Sequence, residues 1–173
     1  STEGLCPSNS MVYDLGWLVT DTKGNVYETA SFVNADIYCD YEEMMQSAYY
    51  TSKLPQYEED IKNGLRTLAT FATIKKAFWE TCKKYKVTAI SAHNARFDYS
   101  ALNGTQRYLT KSKYRFFFPY GTEFHDILAL SRHCFKGDEN YHQFCADNNY
   151  LTTYGKDRHT AEIVAQYLFN KDF

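Results

Sequence analysis

The chain has 173 residues, 44% hydrophobic and 23% charged, an ordinary globular composition that excludes a disordered or low-complexity protein. A formal net charge of −2 excludes attraction of the whole molecule to nucleic acid, so any such binding must be local. No stretch has the apolar length that crosses a bilayer, which excludes a helical membrane protein. The length predicts a single domain over residues 1–173. Five cysteines with no CxxC pair and no signal peptide predict free thiols in a reducing cytoplasm. Sixteen Tyr and twelve Phe make the chain rich in rings that both pack and stack.

Met11–Thr20 and Val26–Val33 are β-rich runs joined by Asp21-Thr22-Lys23-Gly24-Asn25. A short polar connection containing glycine predicts an antiparallel hairpin. Position 16 is glycine, so Asp14 has no acidic partner two residues on; Gly16 reads as a close-packing position and Trp17 as a packing residue. Tyr41–Tyr50 carries Met44, Met45, Ala48 and Tyr49 on one side and predicts a helix. Pro55 interrupts it, and Gln56–Asn63 predicts a short helix closed by Gly64. Leu65–Lys86 predicts one long helix. Leu65, Leu68, Ala72, Phe78, Trp79, Cys82 and Tyr85 recur near the helical period, with Lys75, Lys76, Lys83 and Lys84 mostly on its solvated side.

The most informative stretch is Val87–Leu102, VTAISAHNARFDYSAL, a short apolar strand, a polar turn and then an acid, Asp98, where a helix should begin. That layout sets a carboxylate beside the C-terminal edge of a buried sheet, where open α/β folds bind ligands. The first helical turn also stabilises the acid as its anion. The helix should run to about Tyr108. A basic loop, a strand at Gly121–Ile127 and helices at Leu128–Cys134, Tyr141–Asn148 and Thr160–Phe169 complete the order. A hairpin followed by strand–helix alternation predicts an α/β fold, a mixed sheet with helices on its faces.

The loop after the Asp98 helix interleaves Arg107, Lys111, Lys113 and Arg115 with Tyr108, Tyr114 and Phe116–Phe118. Cations for phosphates and rings for exposed bases are the composition of a groove that tracks single strands. The structural alternative is a packed loop whose Phe side chains enter the core. Asp126 ends a strand and reads as the cap of the following helix. His125 reads as a packing residue. His133, Cys134, His142 and Cys145 have zinc-ligand chemistry, but adjacent His133 and Cys134 point in different directions on a helix, and Cys145 fits an apolar face.

Tyr13–Glu28, Ser47–Asp60, Ala92–Leu102, Asn103–Gly121 and Asn149–Phe173 together resemble a bacteriophage branch of the DnaQ-like (DEDD) 3′–5′ exonucleases. The resemblance covers nearly the whole chain and implies a ribonuclease H-like mixed sheet with helices on both faces. In that family an Asp-x-Glu motif sits on the opening strand, a second Asp follows an HNxxFD-like turn, and a His and a last Asp come near the C-terminus. The carboxylates hold two divalent ions, Mg²⁺ or Mn²⁺, and the histidine is the expected base for the attacking water.

On this chain Asp98 matches the second motif, with His93 and Asn94 as its preceding turn. Glu3 matches the glutamate of the first motif, and Ser1 stands where its aspartate belongs. Both ends look cut: part of the first strand and the third motif are expected to be missing. His159-Thr160-Ala161-Glu162 resembles a helix start upstream of that motif, not the motif itself.

The resemblance thus implies Glu3 and Asp98 as catalytic and metal-binding residues. Asn94, Arg107, Tyr108, Lys111, Lys113 and Arg115 are expected to contact nucleic acid. The implied activity is shortening of single-stranded DNA in phage replication or proofreading, in the host cytoplasm, beside a phage or host replication protein. Two alternatives stand: a nuclease-derived binding or inhibitory module without turnover, and an exoribonuclease of the same superfamily.

Overall fold

In the computed structural model, which describes residues 10–41, 45, 51–111 and 113–169, the chain is α/β and combines parallel with antiparallel strand pairing. It divides into two compact units, the first Ser1–Thr88 with Phe97–Thr122 and the second Ala89–Arg96 with Glu123–Phe173. Among the described residues the strands form a three-stranded mixed sheet and a two-stranded parallel one, where the sequence predicts a single sheet.

In the first unit, β1 (Asp14–Thr20) pairs antiparallel with β2 (Val26–Asn34), as the hairpin signal predicts. Asp21 holds the turn: its carboxylate accepts the backbone N–H groups of Lys23 and Asn25, the Asn25 amide and the Tyr27 hydroxyl. These bonds, the Asn25 side chain's above all, favour the anion and hold the acid down at about 2. A Cβ at Gly16 would lie 3.3 Å from the Ala30 carbonyl oxygen, so glycine here lets the strands close. Trp17 stacks on Phe32 at 5.2 Å and meets Phe78 edge-on, which is the packing role expected of it.

Asn34 ends β2 and is buried. Its Oδ1 accepts the Asp36 N–H at 3.2 Å, capping α1 (Ala35–Tyr38), while its amide donates to the Val12 carbonyl at 2.8 Å. The helix expected over Tyr41–Tyr50 lies outside the described residues except for Tyr41 and Met45. Met45 packs with Tyr13, Ile37 and Tyr57. A 3₁₀ turn (Thr51–Lys53) leads into α2 (Leu54–Lys62), which admits Pro55 in its first turn, where no helical hydrogen bond is lost.

The single helix predicted over Leu65–Lys86 is broken at Thr70. Thr67–Ala69 forms β3, parallel to Phe32–Asn34 of β2, and α3 runs Phe71–Tyr85. Thr70 is extended and its hydroxyl accepts the Thr73 N–H at 3.3 Å, an N-cap across which the apolar spacing runs unbroken. Leu65 and Leu68 are exposed, and the buried face of α3 is Phe71, Ile74, Phe78 and Cys82. The next helix, α4 (Ala95–Leu109), belongs to this unit from Phe97 onward. It buries Ala101, Leu102 and Thr105, and the Thr105 hydroxyl accepts the Val12 N–H at 2.9 Å.

The second unit holds β4 (Ala89–Ala92) parallel to β5 (Glu123–Asp126), then α5 (Ile127–Cys134), α6 (Glu139–Asp147) and α7 (Ala161–Phe169). Its core is Tyr141, Cys145 and Ile163, ringed by Phe135, Phe144, Tyr150, Leu151 and Tyr167. The Tyr141 hydroxyl donates to the Arg158 carbonyl at 2.7 Å, satisfying the polar end of a fully buried ring. Among the described residues no helix is long and apolar enough to cross a membrane, and Cys39, Cys82, Cys134 and Cys145 are free thiols.

Glu28 ties β2 to α3. Its carboxylate accepts the Lys84 ammonium at 2.8 Å and the Thr81 hydroxyl at 2.7 Å. Lys84 first and Thr81 second hold the acid below its ordinary range. A depressed folded value contributes stability that is present above the unfolded glutamate pKa and lost as pH falls through the folded one. Urea midpoints measured from neutral pH downward should therefore show the parent more stable than Glu28→Gln, with the gap closing in acid. A gap that stays constant with pH would contradict the assignment.

Candidate functional site

The turn after β4 has a specific backbone shape. Asn94 sits at φ 65°, in the left-handed region that asparagine tolerates better than most residues. Its N–H donates to Asp126 Oδ1 at 3.0 Å. Parallel pairing sets Ala92 opposite Asp126, so turn and acid meet at the C-terminal edge of this sheet. The same Oδ1 accepts the N–H groups of Leu128 at 3.0 Å and Ala129 at 3.4 Å, which makes Asp126 the N-cap of α5. The capping role expected of it from the sequence is the one it has.

Asp98 follows in the first turn of α4 and is half-buried, so the helix's leading N–H groups favour its anion. Glu3, the other acid expected from the sequence, and Ser1 lie outside the described residues. His93 is half-buried with its Nδ1 closed off from solvent and without a hydrogen-bond partner among the described residues. Among those residues no group of three or more His, Cys, Asp or Glu side chains is arranged to hold a metal ion. Asp98 is thus the one carboxylate of the expected ligand set that they contain, and alone it does not fit a two-ion site.

The other titratable candidates resolve into structural roles. Asp14 accepts hydrogen bonds from the Tyr57 hydroxyl at 3.0 Å and from Arg66, which also binds Asp60 at 3.1 Å and lies 4.5 Å over the Tyr57 ring. Nothing in the spacing of residues 14, 57, 60 and 66 announces this network, because three separate segments supply it: β1, α2 and the stretch after α2. His142 pairs with Asp157 at 2.7 Å and Cys145 is fully buried, so the zinc-like residues form no ligand group. His159 stacks on Tyr141 and Phe135; burial, then the charge of Arg132, holds it below the ordinary histidine range and hence neutral. His125 does not pack as expected. It is exposed on β5, 3.6 Å from Glu123.

The basic loop divides its residues sharply. Phe117 is fully buried against Phe71 and Phe78, its N–H donating to Asn103 Oδ1 at 2.7 Å and its carbonyl accepting the Trp79 indole N–H. Phe118 stacks on Tyr99 with rings 5° from parallel. Arg107, Lys111, Lys113 and Arg115 are exposed. Tyr108 is exposed and also packs edge-on against Tyr41 at 5.6 Å, and Asn94 contributes its backbone to the turn. Tyr114, Phe116 and Tyr120, which the expected contact set omits, are exposed.

No family model, no curated protein and no solved structure matches this chain.

Removing the Asp126 carboxylate strands three backbone N–H groups at once. Loss of such a cap costs about 1–2 kcal/mol. Asp126→Ala should lower the urea midpoint accordingly, and Asp126→Asn, which keeps an acceptor oxygen, should recover at least about half of the loss. Equal stability of Asp126→Ala and parent would remove the capping role.

Proposed function

We propose that the chain is a DnaQ-like 3′–5′ exonuclease domain of ribonuclease H-like fold, hydrolysing phosphodiester bonds at single-stranded DNA ends with Mg²⁺ or Mn²⁺. One observation carries the reading: β4, a left-handed asparagine turn and α4 follow each other directly, with Asp98 in the first helical turn. That arrangement offers a dipole-stabilised carboxylate just beyond a strand's C-terminal end, where open α/β sheets do chemistry. Asp98 is the metal-binding acid of this proposal, with Glu3 its companion on sequence grounds. The exposed cations Lys111, Lys113 and Arg115 supply phosphate contacts. A phage or host replication protein in the cytoplasm is the setting that the sequence resemblance implies.

A second reading, a nuclease-derived module that binds without turnover, is favoured by Ser1 standing where the family's first aspartate belongs. A labelled substrate separates the two. With Mg²⁺ or Mn²⁺ the purified chain should shorten 3′-labelled single-stranded DNA stepwise from its 3′ end, and Asp98→Ala should abolish the shortening. Full activity in Asp98→Ala overturns the metal-binding role. Binding without shortening by the unsubstituted chain selects the module.

A further inference from the structure

We propose that the loop over residues 111–120 is a metal-independent single-strand platform on which Tyr114, Phe116 and Tyr120 stack unpaired bases while Lys111, Lys113 and Arg115 hold phosphates. The inference deepens the proposed function and rests on its premise that the chain acts on single-stranded nucleic acid.

Exposed aromatic rings occur singly on most proteins and need no explanation. Here three occur within seven residues: Tyr114 is 73% exposed, Phe116 63% and Tyr120 106%. Their immediate neighbours Phe117 and Phe118 are buried, so hydrophobic side chains of one short segment are sorted to opposite sides. The sorting has a mechanical cause. Phe117 is held from both ends of its peptide unit by Asn103 and Trp79, and the Thr122 hydroxyl donates to the Pro119 carbonyl at 2.9 Å. A further bond runs from the Arg115 N–H to the Lys113 carbonyl at 3.1 Å. With its backbone fixed this way, the loop presents its rings without a large ordering cost on binding.

Cations alternate with the exposed rings along the chain: Lys113, Tyr114, Arg115, Phe116. Unpaired bases on a polyanionic backbone offer the matching alternation, a flat π-face and a phosphate at each step. A membrane surface fits less well, because interfacial segments gather apolar residues on one helical face and cations on the other. Duplex nucleic acid hides its base faces, so it can use only the cations.

The test is fluorescence anisotropy of the full chain with a labelled thymidine homopolymer in EDTA, which removes any contribution from metal. Tyr114→Ala with Phe116→Ala should weaken binding about tenfold or more while leaving the salt slope intact. Replacing Lys111, Lys113 and Arg115 by Gln should instead flatten the salt slope by about 2. Tyr120→Ala, at a fully solvated side chain, gives a ring deletion that cannot act through folding.

Competition by a uridine homopolymer as well as by thymidine supports the shared base-and-phosphate chemistry and identifies the sugar tolerated. The proposal is overturned if an abasic polymer or a duplex competes as well as the single strand, if the ring deletions bind like the parent, or if anionic lipid vesicles bind where the homopolymer does not. Binding in EDTA reads the platform without the metal on which cleavage depends. A failed cleavage assay beside intact EDTA binding therefore counts against the exonuclease reading and leaves the platform standing.

Discussion

The carboxylate of Asp126 receives N–H groups from Asn94, Leu128 and Ala129, and the geometry of the chain after β4 follows from that convergence. Two of these bonds are part-buried, and a backbone N–H withdrawn from water needs an acceptor, so the turn favours the shape that reaches this oxygen. That shape needs a left-handed residue, and Asn94 supplies it at φ 65°. Within the second unit, one side-chain acceptor on the neighbouring strand thus holds the turn that follows β4. Asp126 organises the turn through Oδ1, which takes all three backbone donors.

The same logic, a side chain satisfying backbone groups of a distant segment, governs the first unit. Asn34 bonds Val12, Thr105 bonds Val12, and Asn103 with Trp79 brackets Phe117. The peptide groups they satisfy, those of Val12 and Phe117, lie in loops, where the ladder and helix patterns leave them unpaired. Their effect is to convert irregular stretches into fixed ones. The cationic loop is the clearest instance: without the bracketed Phe117 peptide it would be a flexible basic segment, and its exposed rings would have no defined direction.

How much of this was legible in the sequence depends on the range of the interaction. The hairpin was readable because Asp21 and Gly24 act within a few residues of each other, and the Asp98 helix because strand, turn and acid are contiguous. The long helix over Leu65–Lys86 was misread because Leu65 and Leu68 continue the helical spacing of α3 by coincidence, while their strand is fixed by pairing with β2, more than thirty residues earlier. The cap at Thr70 was the available signal. The link of Arg66 and Tyr57 to Asp14 is invisible in the sequence, since no local pattern joins β1 to residues more than forty positions on. The contact of Tyr108 with Tyr41 joins segments far apart in the chain, so no local pattern announces it, and Tyr108 stays exposed beside it.

Local charge then decides where a chain of net charge −2 can meet a polyanion. The lysines of α3 look as promising as those of the loop, yet three of the four, Lys75, Lys76 and Lys84, already have neighbours of their own. Lys84 is bound to Glu28, Lys76 lies 3.9 Å from Glu80, and burial over Trp79 lowers the Lys75 ammonium's tendency to hold its proton. A cation already engaged with a carboxylate releases few counterions when a phosphate arrives, and counterion release is the driving term of such binding. The loop cations are joined instead by rings that a base can cover, so the attractive contacts accumulate there. The loop held at Phe117 and the turn held at Asn94 are set by different residues, so either geometry is able to persist when the other is lost.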